Sequence, residues 1–154
     1  LTNGFEKSYR TDPVMNYLAG LVDEKLQDEK AMAIEKVSDL FFKNKLKDAL
    51  AGYKSIRDTY SGVDLSNKLY SIAEGYLRDE QPAQSLTVFE LLVSEYPENW
   101  IAYYGRANAN RSLENFSQAI EDYRKSAELN QGESDKAQLY QMAKSLEERT
   151  KANQ

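Results

Sequence analysis

Residues 119–130, AIEDYRKSAELN, carry the pattern from which the fold can be predicted. Small Ala119 is followed by the aromatic Tyr123 and then by Ala127, at the three-and-four spacing that places side chains on one face of a helix. Thirty-four residues upstream, SLTVFELLVSEYP, residues 85–97, has the same spacing of small and large residues. One short helix that recurs at this interval predicts a protein built from repeated helical units.

The interval between the two copies also identifies a third copy. When Ser85 is aligned with Ala119, the large residue Phe89 falls opposite Tyr123. A further copy fits upstream with two extra residues, and there Ala49 takes the place of Ser85. Small residues therefore stand opposite small ones in three successive units, as close contacts between neighbouring helices require.

Helical periodicity extends over almost the whole chain. Pro13 and Pro82 suit the first turn of a helix, and Pro97 ends one. No stretch shows the sustained alternation of a strand, and the predicted loops have only a few residues, so neighbouring helices should be antiparallel. We predict about eight helices, at residues 13–28, 30–43, 45–60, 66–79, 82–96, 99–112, 116–130 and 134–152.

A helix–turn–helix period of thirty-four residues is the signature of the tetratricopeptide repeat, and residues 30–152 resemble that family. Residues 103–130, YYGRANANRSLENFSQAIEDYRKSAELN, look like one full unit. The resemblance implies an all-α fold, a right-handed superhelix of stacked antiparallel helix pairs. Three residues depart from the family pattern: Asn110 replaces an aromatic residue, Ser126 an alanine and Gln131 a proline.

The repeat pattern predicts four segments of chain. These are an N-terminal arm at residues 1–12, a degenerate helical repeat region at 13–65, two repeats at 66–133 and a capping helix at 134–154. The last helix is expected to bury an apolar stripe of Ala137, Tyr140 and Ala143 and to expose charged residues.

Composition argues against several classes of function. The net charge of −5 and the absence of a basic run disfavour nucleic-acid binding, and no apolar run is long enough for membrane insertion. The absence of Cys and His removes thiol and imidazole chemistry and the usual zinc ligands. Neither a phosphate-binding glycine loop nor a serine nucleophile motif occurs. We therefore expect no catalytic residues, no cofactor and no metal.

The tetratricopeptide resemblance implies a concave surface lined by the first helix of each unit. Tyr70 and Tyr104 correspond across the thirty-four-residue shift on that side and match no core position, although burial against a neighbouring helix is the alternative. The predicted groove residues are Ile34, Phe41, Phe42, Tyr70, Glu74, Leu77, Arg78, Tyr104, Asn108, Arg111 and Met142. The basic residues with which some family members hold a terminal carboxylate are absent, since Tyr70, Glu74 and Gly105 occupy their places, so an acidic C-terminal tail is not expected as the ligand.

Two functional hypotheses follow. The first is a non-catalytic scaffold that binds a peptide or another segment of a partner protein in the concave groove. The second is a C-terminal appendage of a larger, exported bacterial hydrolase that orients or dimerises the enzyme, because SEYPENWIAYYGRANA, residues 94–109, with residues 119–130 resembles repeat modules of that kind. A homodimer is compatible with both hypotheses. The start at Leu1 suggests a fragment or a processed form of a longer protein. The resemblance to repeat modules of bacterial hydrolases implies a bacterial source, and a chain without Cys suits the cytoplasm and the periplasm equally.

Overall fold

The computed structural model describes the backbone of residues 13–152 and the side chains of residues 20–152. Within this range every regular element is a helix, which confirms the predicted all-α fold. The helices are α1 Pro13–Phe42, α2 Leu46–Thr59, α3 Ser66–Arg78, α4 Pro82–Glu95, α5 Trp100–Ser112, α6 Phe116–Leu129 and α7 Glu133–Ala152. The predicted arm at residues 1–12 lies outside the described residues.

The first helix corrects the predicted boundaries. Residues 13–28 and 30–43 were expected to form two helices, but α1 is one helix of 30 residues. Neither proline nor glycine separates the two predicted segments, and Asp28, Glu29 and Lys30 are all compatible with a continuous helix. The described part of the chain therefore has seven helices, close to the predicted number of about eight.

The chain divides into two compact units, one that ends at Val63 and one that begins at Asp64. In the first unit α1 packs against α2. In the second unit each helix from α3 to α7 packs against the next one along the chain, and α3 also contacts α5. The second unit is thus a stack of antiparallel helix pairs in which α3 and α5 are first helices.

One turn geometry recurs at the end of α1, α3 and α5. Asn44, Glu80 and Glu114 have positive φ angles of 55°, 56° and 62°. In the third turn the Asn115 N–H donates to the Asn110 carbonyl at 2.9 Å, which is the Schellman arrangement at a helix C-terminus. The equivalent bonds run from Gln81 to Tyr76 at 2.8 Å and from Lys45 to Leu40 at 2.9 Å. Successive turns lie 36 and 34 residues apart, so the backbone repeats with the period read from the sequence.

The positive φ angle of Glu114 leads to a prediction about the stability of a glycine variant. A side chain is strained in the left-handed region, whereas glycine is not, so Glu114→Gly should raise the free energy of unfolding by about 1 kcal/mol. The matched control is Glu121→Gly, the same substitution at an exposed position inside α6, which should lower it by about 1 kcal/mol. Urea denaturation measures both values, and a loss of stability in Glu114→Gly would contradict the assigned turn.

Small residues form the tightest contacts of the second unit. Ala107 in α5 and Ala119 in α6 are both 0% exposed and belong to one core cluster with Tyr123. The α7 side of this cluster is made of Leu139, Ala143 and Leu146.

The residues that α7 buries differ from the apolar stripe predicted for this capping helix. Ala137 and Tyr140 are exposed, and of the predicted stripe only Ala143 is buried. The predicted stripe was wrong because two different sets of residues at spacings of three and four share a face of this helix. The contact with α6 selects the set that contains Leu139 and Leu146.

Ser126 and Asn110 stand where the family pattern has an alanine and an aromatic residue, and both polar side chains have hydrogen-bond partners. Ser126 Oγ donates to the Trp100 carbonyl at 2.9 Å, and Asn110 Nδ2 donates to Asp122 Oδ2 at 3.3 Å. Ser85, the small residue of the preceding unit, is 0% exposed, and its hydroxyl has no hydrogen-bond partner among the described residues. The same residue type therefore contributes differently at the two positions.

We expect Ser85→Ala to raise the free energy of unfolding by about 1 kcal/mol, because it removes a buried hydroxyl that forms no hydrogen bond. Ser126→Ala is the control, and the loss of its hydrogen bond to Trp100 should lower stability by about 1 kcal/mol. Opposite shifts of the two urea midpoints are the expected result, and shifts of the same sign would show that the two hydroxyls do not differ.

Candidate functional site

A cavity of about 310 Å³ lies between α3, α5 and α7 in the second unit. We call it the aromatic cavity, and it is lined by Tyr70, Trp100, Ile101, Tyr104, Asp135, Gln138, Leu139 and Met142. Most of this lining is aromatic or apolar, with Asp135 as the one charged residue. A large apolar side chain is the kind of group that such a wall accommodates.

A second cavity of about 300 Å³ lies along the same side of α5 and α7. We call it the arginine cavity, and its lining consists of Arg111, Tyr123, Gln138, Gln141, Met142, Ser145, Leu146 and Arg149. Gln138 and Met142 line both cavities. The two cavities therefore adjoin and form one groove, which runs from the start of α5 and α7 towards the last turn of each helix.

Buried aromatic residues hold the two groove tyrosines in place. The ring of Tyr70 packs edge-on against Phe89, with ring centres 5.9 Å apart, and the ring of Tyr104 lies 6.2 Å from Tyr123. Phe89 and Tyr123 are almost fully buried, whereas both groove tyrosines are half-buried. Burial, followed by the charge of Glu74, raises the pKa of the Tyr70 hydroxyl above its ordinary value, so this group stays protonated and able to donate.

The far end of the groove carries two positive charges. Arg111 is in the last turn of α5 and Arg149 is in the last turn of α7, and both are exposed. Neither forms an ion pair or a side-chain hydrogen bond with another described residue. The wall beside them is held by the Tyr123 hydroxyl, which donates to Asn108 Oδ1 at 2.6 Å.

A buried polar network joins α5 to α6 behind the groove. Arg106 donates twice to Asp122, from Nε at 2.9 Å and from Nη2 at 2.6 Å. Asn110 donates to the same carboxylate, and Asn115 Nδ2 donates to Asn110 Oδ1 at 3.3 Å. The hydrogen bonds with Asp122 raise the pKa of the Arg106 guanidinium, which keeps it charged. This network fixes the angle of the helix that carries Tyr104 and Arg111.

The structure brings four of the predicted groove residues together, namely Tyr70, Tyr104, Arg111 and Met142. Among the other predicted groove residues of the second unit, Glu74 raises the pKa of the Tyr70 hydroxyl through its charge. Asn108 Oδ1 accepts a hydrogen bond from the Tyr123 hydroxyl. Leu77 is half-buried and Arg78 is exposed, and they line neither the aromatic nor the arginine cavity.

The remaining predicted groove residues lie on α1 in the first unit. Ile34 is half-buried and Phe42 is 74% exposed. Phe41 is 1% exposed, so its ring is closed to a ligand, contrary to the expectation for a groove residue. Adjacent positions on a helix point about a quarter-turn apart, which is why Phe41 and Phe42 differ.

The residues that line the two cavities and lie outside the predicted set include Trp100, Gln141, Ser145 and Arg149. A signal for two of them, Ser145 and Arg149, was present in the sequence. Gln138, Met142, Ser145 and Arg149 follow one another at spacings of four, three and four, and such residues share one face of a helix. The prediction took only Met142 from this face of α7, because the helix was interpreted mainly as a cap.

The described residues form neither a membrane-spanning helix nor a cluster of metal ligands. Among residues 13–152 no helix combines the length and the hydropathy needed to cross a membrane. In the same part of the chain no three acidic, His or Cys side chains are placed so that they could hold a metal ion.

Comparison with known proteins identifies the repeat. Residues 100–133 match the family model for the tetratricopeptide repeat. No curated protein matches the sequence significantly.

Two solved structures show the same fold. The tetratricopeptide repeat domain of P58(IPK) is similar with a TM-score of 0.53 and 22% identity, over 84% of this chain and 37% of that one. The first tetratricopeptide repeat domain of Spaghetti (RPAP3), solved with the HSP90 peptide SRMEEVD, is similar with a TM-score of 0.50 and 19% identity, over 77% of this chain and 92% of that one. This chain therefore spans little more than a third of the first of these two proteins.

The match covers α5, α6 and the turn between them, which are the helices of the unit recognised from the sequence. The recurring turns and the stacked helix pairs extend the same architecture beyond that unit. The resemblance inferred from residues 103–130 is thus confirmed: residues 100–133 match the model of the tetratricopeptide repeat, and the fold of the chain is similar to that of two tetratricopeptide-repeat domains.

Proposed function

We propose that this chain is a non-catalytic protein-interaction scaffold that holds a peptide segment of a partner protein in the groove of α3, α5 and α7. The observation that carries the proposal is the continuity of the aromatic and arginine cavities through Gln138 and Met142. The groove therefore combines a cavity that can hold an apolar side chain of the peptide with polar side chains further along. The RPAP3 domain, which has this fold, was solved with a peptide bound, and this supports a peptide as the class of ligand.

The dimensions of the groove suit a short extended segment. α5 has 13 residues, so it is about 20 Å long at 1.5 Å per residue. An extended peptide covers about 3.3 Å per residue, and about six residues therefore span α5. Aromatic rings already held by Phe89 and Tyr123 lose little freedom when they contact such a peptide, which reduces the entropic cost of binding.

The second hypothesis, an appendage that orients or dimerises a hydrolase, has no support in the comparisons. The descriptions of the two similar structures name repeat domains and not hydrolases. We do not propose it further.

Selection from a library of random peptides displayed on phage tests the proposal without a known partner. We expect the chain to enrich peptides that bind the double variant Tyr70→Ala, Tyr104→Ala at least about tenfold more weakly, because truncation of anchoring aromatic residues has effects of this size. Tyr140→Ala is the matched control, since Tyr140 is exposed on α7 and lines neither cavity. Fluorescence anisotropy measures the affinities.

Both groove tyrosines are half-buried, so the double variant must also be shown to fold by circular dichroism. Independently of it, NMR titration of the unchanged protein with an enriched peptide should shift the amide signals of Gln138 and Met142 most strongly. Equal affinity of the folded double variant, or shifts confined to residues outside the groove, would refute the proposal.

A further inference from the structure

We infer that the groove selects an extended peptide with two features, a large apolar side chain in the aromatic cavity and an internal Asp or Glu, four or five residues away, that pairs with Arg111 and Arg149. This inference rests on the proposed function, because it assigns a chemistry to the ligand of the same groove.

The arginine cavity is positive in a protein that is negative overall. The chain carries a net charge of −5, yet the two charged residues of this cavity are both arginines. Neither is neutralised by an ion pair with a described carboxylate, whereas Arg106 and Arg124 are paired with Asp122 and Glu147. Two guanidinium groups that approach one cavity from different helices match a single carboxylate, since each presents a planar fork of donors.

Polar side chains of α7 continue the recognition surface between the arginines and the apolar wall. Gln138, Gln141 and Ser145 line the arginine cavity and offer both donors and acceptors. Groups of this kind match the N–H and C=O groups of a peptide backbone that runs along α7. Arg111 and Arg149 are exposed in the last turns of their helices, so a backbone can continue past them and present the carboxylate from a side chain.

The aromatic cavity determines which end of the groove receives the apolar side chain. Trp100, Ile101 and Tyr104 contribute apolar surface, and Asp135 is at the same end. Glu74 is close enough to Tyr70 to raise the pKa of its hydroxyl. Two carboxylates near this end repel an acidic side chain, so the acidic residue of the ligand is directed to the arginines.

The separation of the two features follows from the geometry of α7. Leu139 lines the aromatic cavity and Arg149 lines the arginine cavity, and these residues are ten positions apart on one helix. Ten residues rise about 15 Å, which an extended peptide covers in about four or five residues. The apolar and acidic residues of the ligand should therefore have this spacing.

Two random-peptide libraries test the inference. In the first, more polypeptide follows each random peptide, and in the second each random peptide ends at a free C-terminus. We expect the first library to yield an aromatic or large aliphatic residue with Asp or Glu four or five positions away. Replacement of that acidic residue by its amide should weaken binding about tenfold, the size expected for a charge-assisted hydrogen-bonded contact. The double variant Arg111→Gln, Arg149→Gln should bind the acidic peptide and its amide equally.

Lys125→Gln with Lys144→Gln is the matched control, because it makes the same change in net charge at exposed residues that line neither cavity. This control should keep the preference for the acidic peptide. Enriched peptides without an acidic residue, enrichment only at free C-termini, or an acidic preference that survives in the Arg111, Arg149 variant would each overturn the inference. The proposed function is still supported in these cases if binding of the peptides depends on Tyr70 and Tyr104. If binding depends on neither tyrosine, the proposed function itself is refuted.

Discussion

Asp122→Ala is expected to lower the free energy of unfolding by about 3 kcal/mol, because it leaves the charge of Arg106 partly buried without a partner. The side chain of Asp122 is 8% exposed and that of Arg106 is 26% exposed. The partial exposure of Arg106 places the expected value at the low end of the range for buried ion pairs. Asn110 also loses its acceptor on Asp122, which adds to the cost.

Urea denaturation followed by circular dichroism measures this effect. Glu128→Ala is the matched control, since Glu128 also pairs with a basic residue, Lys125, but both side chains are about half exposed. Exposed pairs contribute little to stability, so the control should leave the midpoint nearly unchanged. Similar midpoints for Asp122→Ala and the unchanged protein would show that the network does not hold α5 against α6.

Gly105→Ala is expected to lower the free energy of unfolding by about 2 kcal/mol through overpacking. A Cβ atom at residue 105 would overlap Cε1 and Cζ of Phe89, and this ring is 0% exposed. The ring also packs against Tyr70, so it cannot move aside without disturbing a wall of the aromatic cavity. The missing side chain at Gly105 thus allows α5 to approach Phe89 of α4.

Gly75→Ala tests whether overpacking, and not the loss of glycine itself, is responsible. Gly75 is inside α3 and a Cβ atom there meets nothing within 4 Å. Alanine is about 1 kcal/mol better than glycine in a helix interior, so Gly75→Ala should raise the free energy of unfolding by about that amount. Substitutions with the same sign of effect at both glycines would contradict the close contact between Gly105 and Phe89.

Local patterns in the sequence predicted the repeat well. Ala119 was expected at a close helix contact and is fully buried, and the turns at Glu80 and Glu114 keep the predicted thirty-four-residue interval. Such features depend on neighbours within one unit, so spacing along the chain is enough to find them. The break expected near residue 29 was wrong because no strong breaking residue stands there, and α1 continues.

The groove was predicted less completely. Four of the predicted groove residues, Tyr70, Tyr104, Arg111 and Met142, line the two cavities, and Arg149 and Trp100, which were not predicted, line them too. Arg149 lines the arginine cavity only because α7 packs on α6 through Leu139 and Leu146, which turns the Gln138–Arg149 face towards α5.

The helical period, the small residues at close contacts and the positions of the three turns can be predicted from spacing along the chain, because each of these follows from interactions within a few turns of chain. Contacts between helices, in contrast, select the face of α7 that is buried, the arginine that forms an ion pair and the arginine that remains available at the groove. Arg106 and Arg111 are both in α5, yet Asp122 of α6 is opposite the first and not the second. That difference depends on the packing of one helix against another, which the spacing of residues along the chain does not contain.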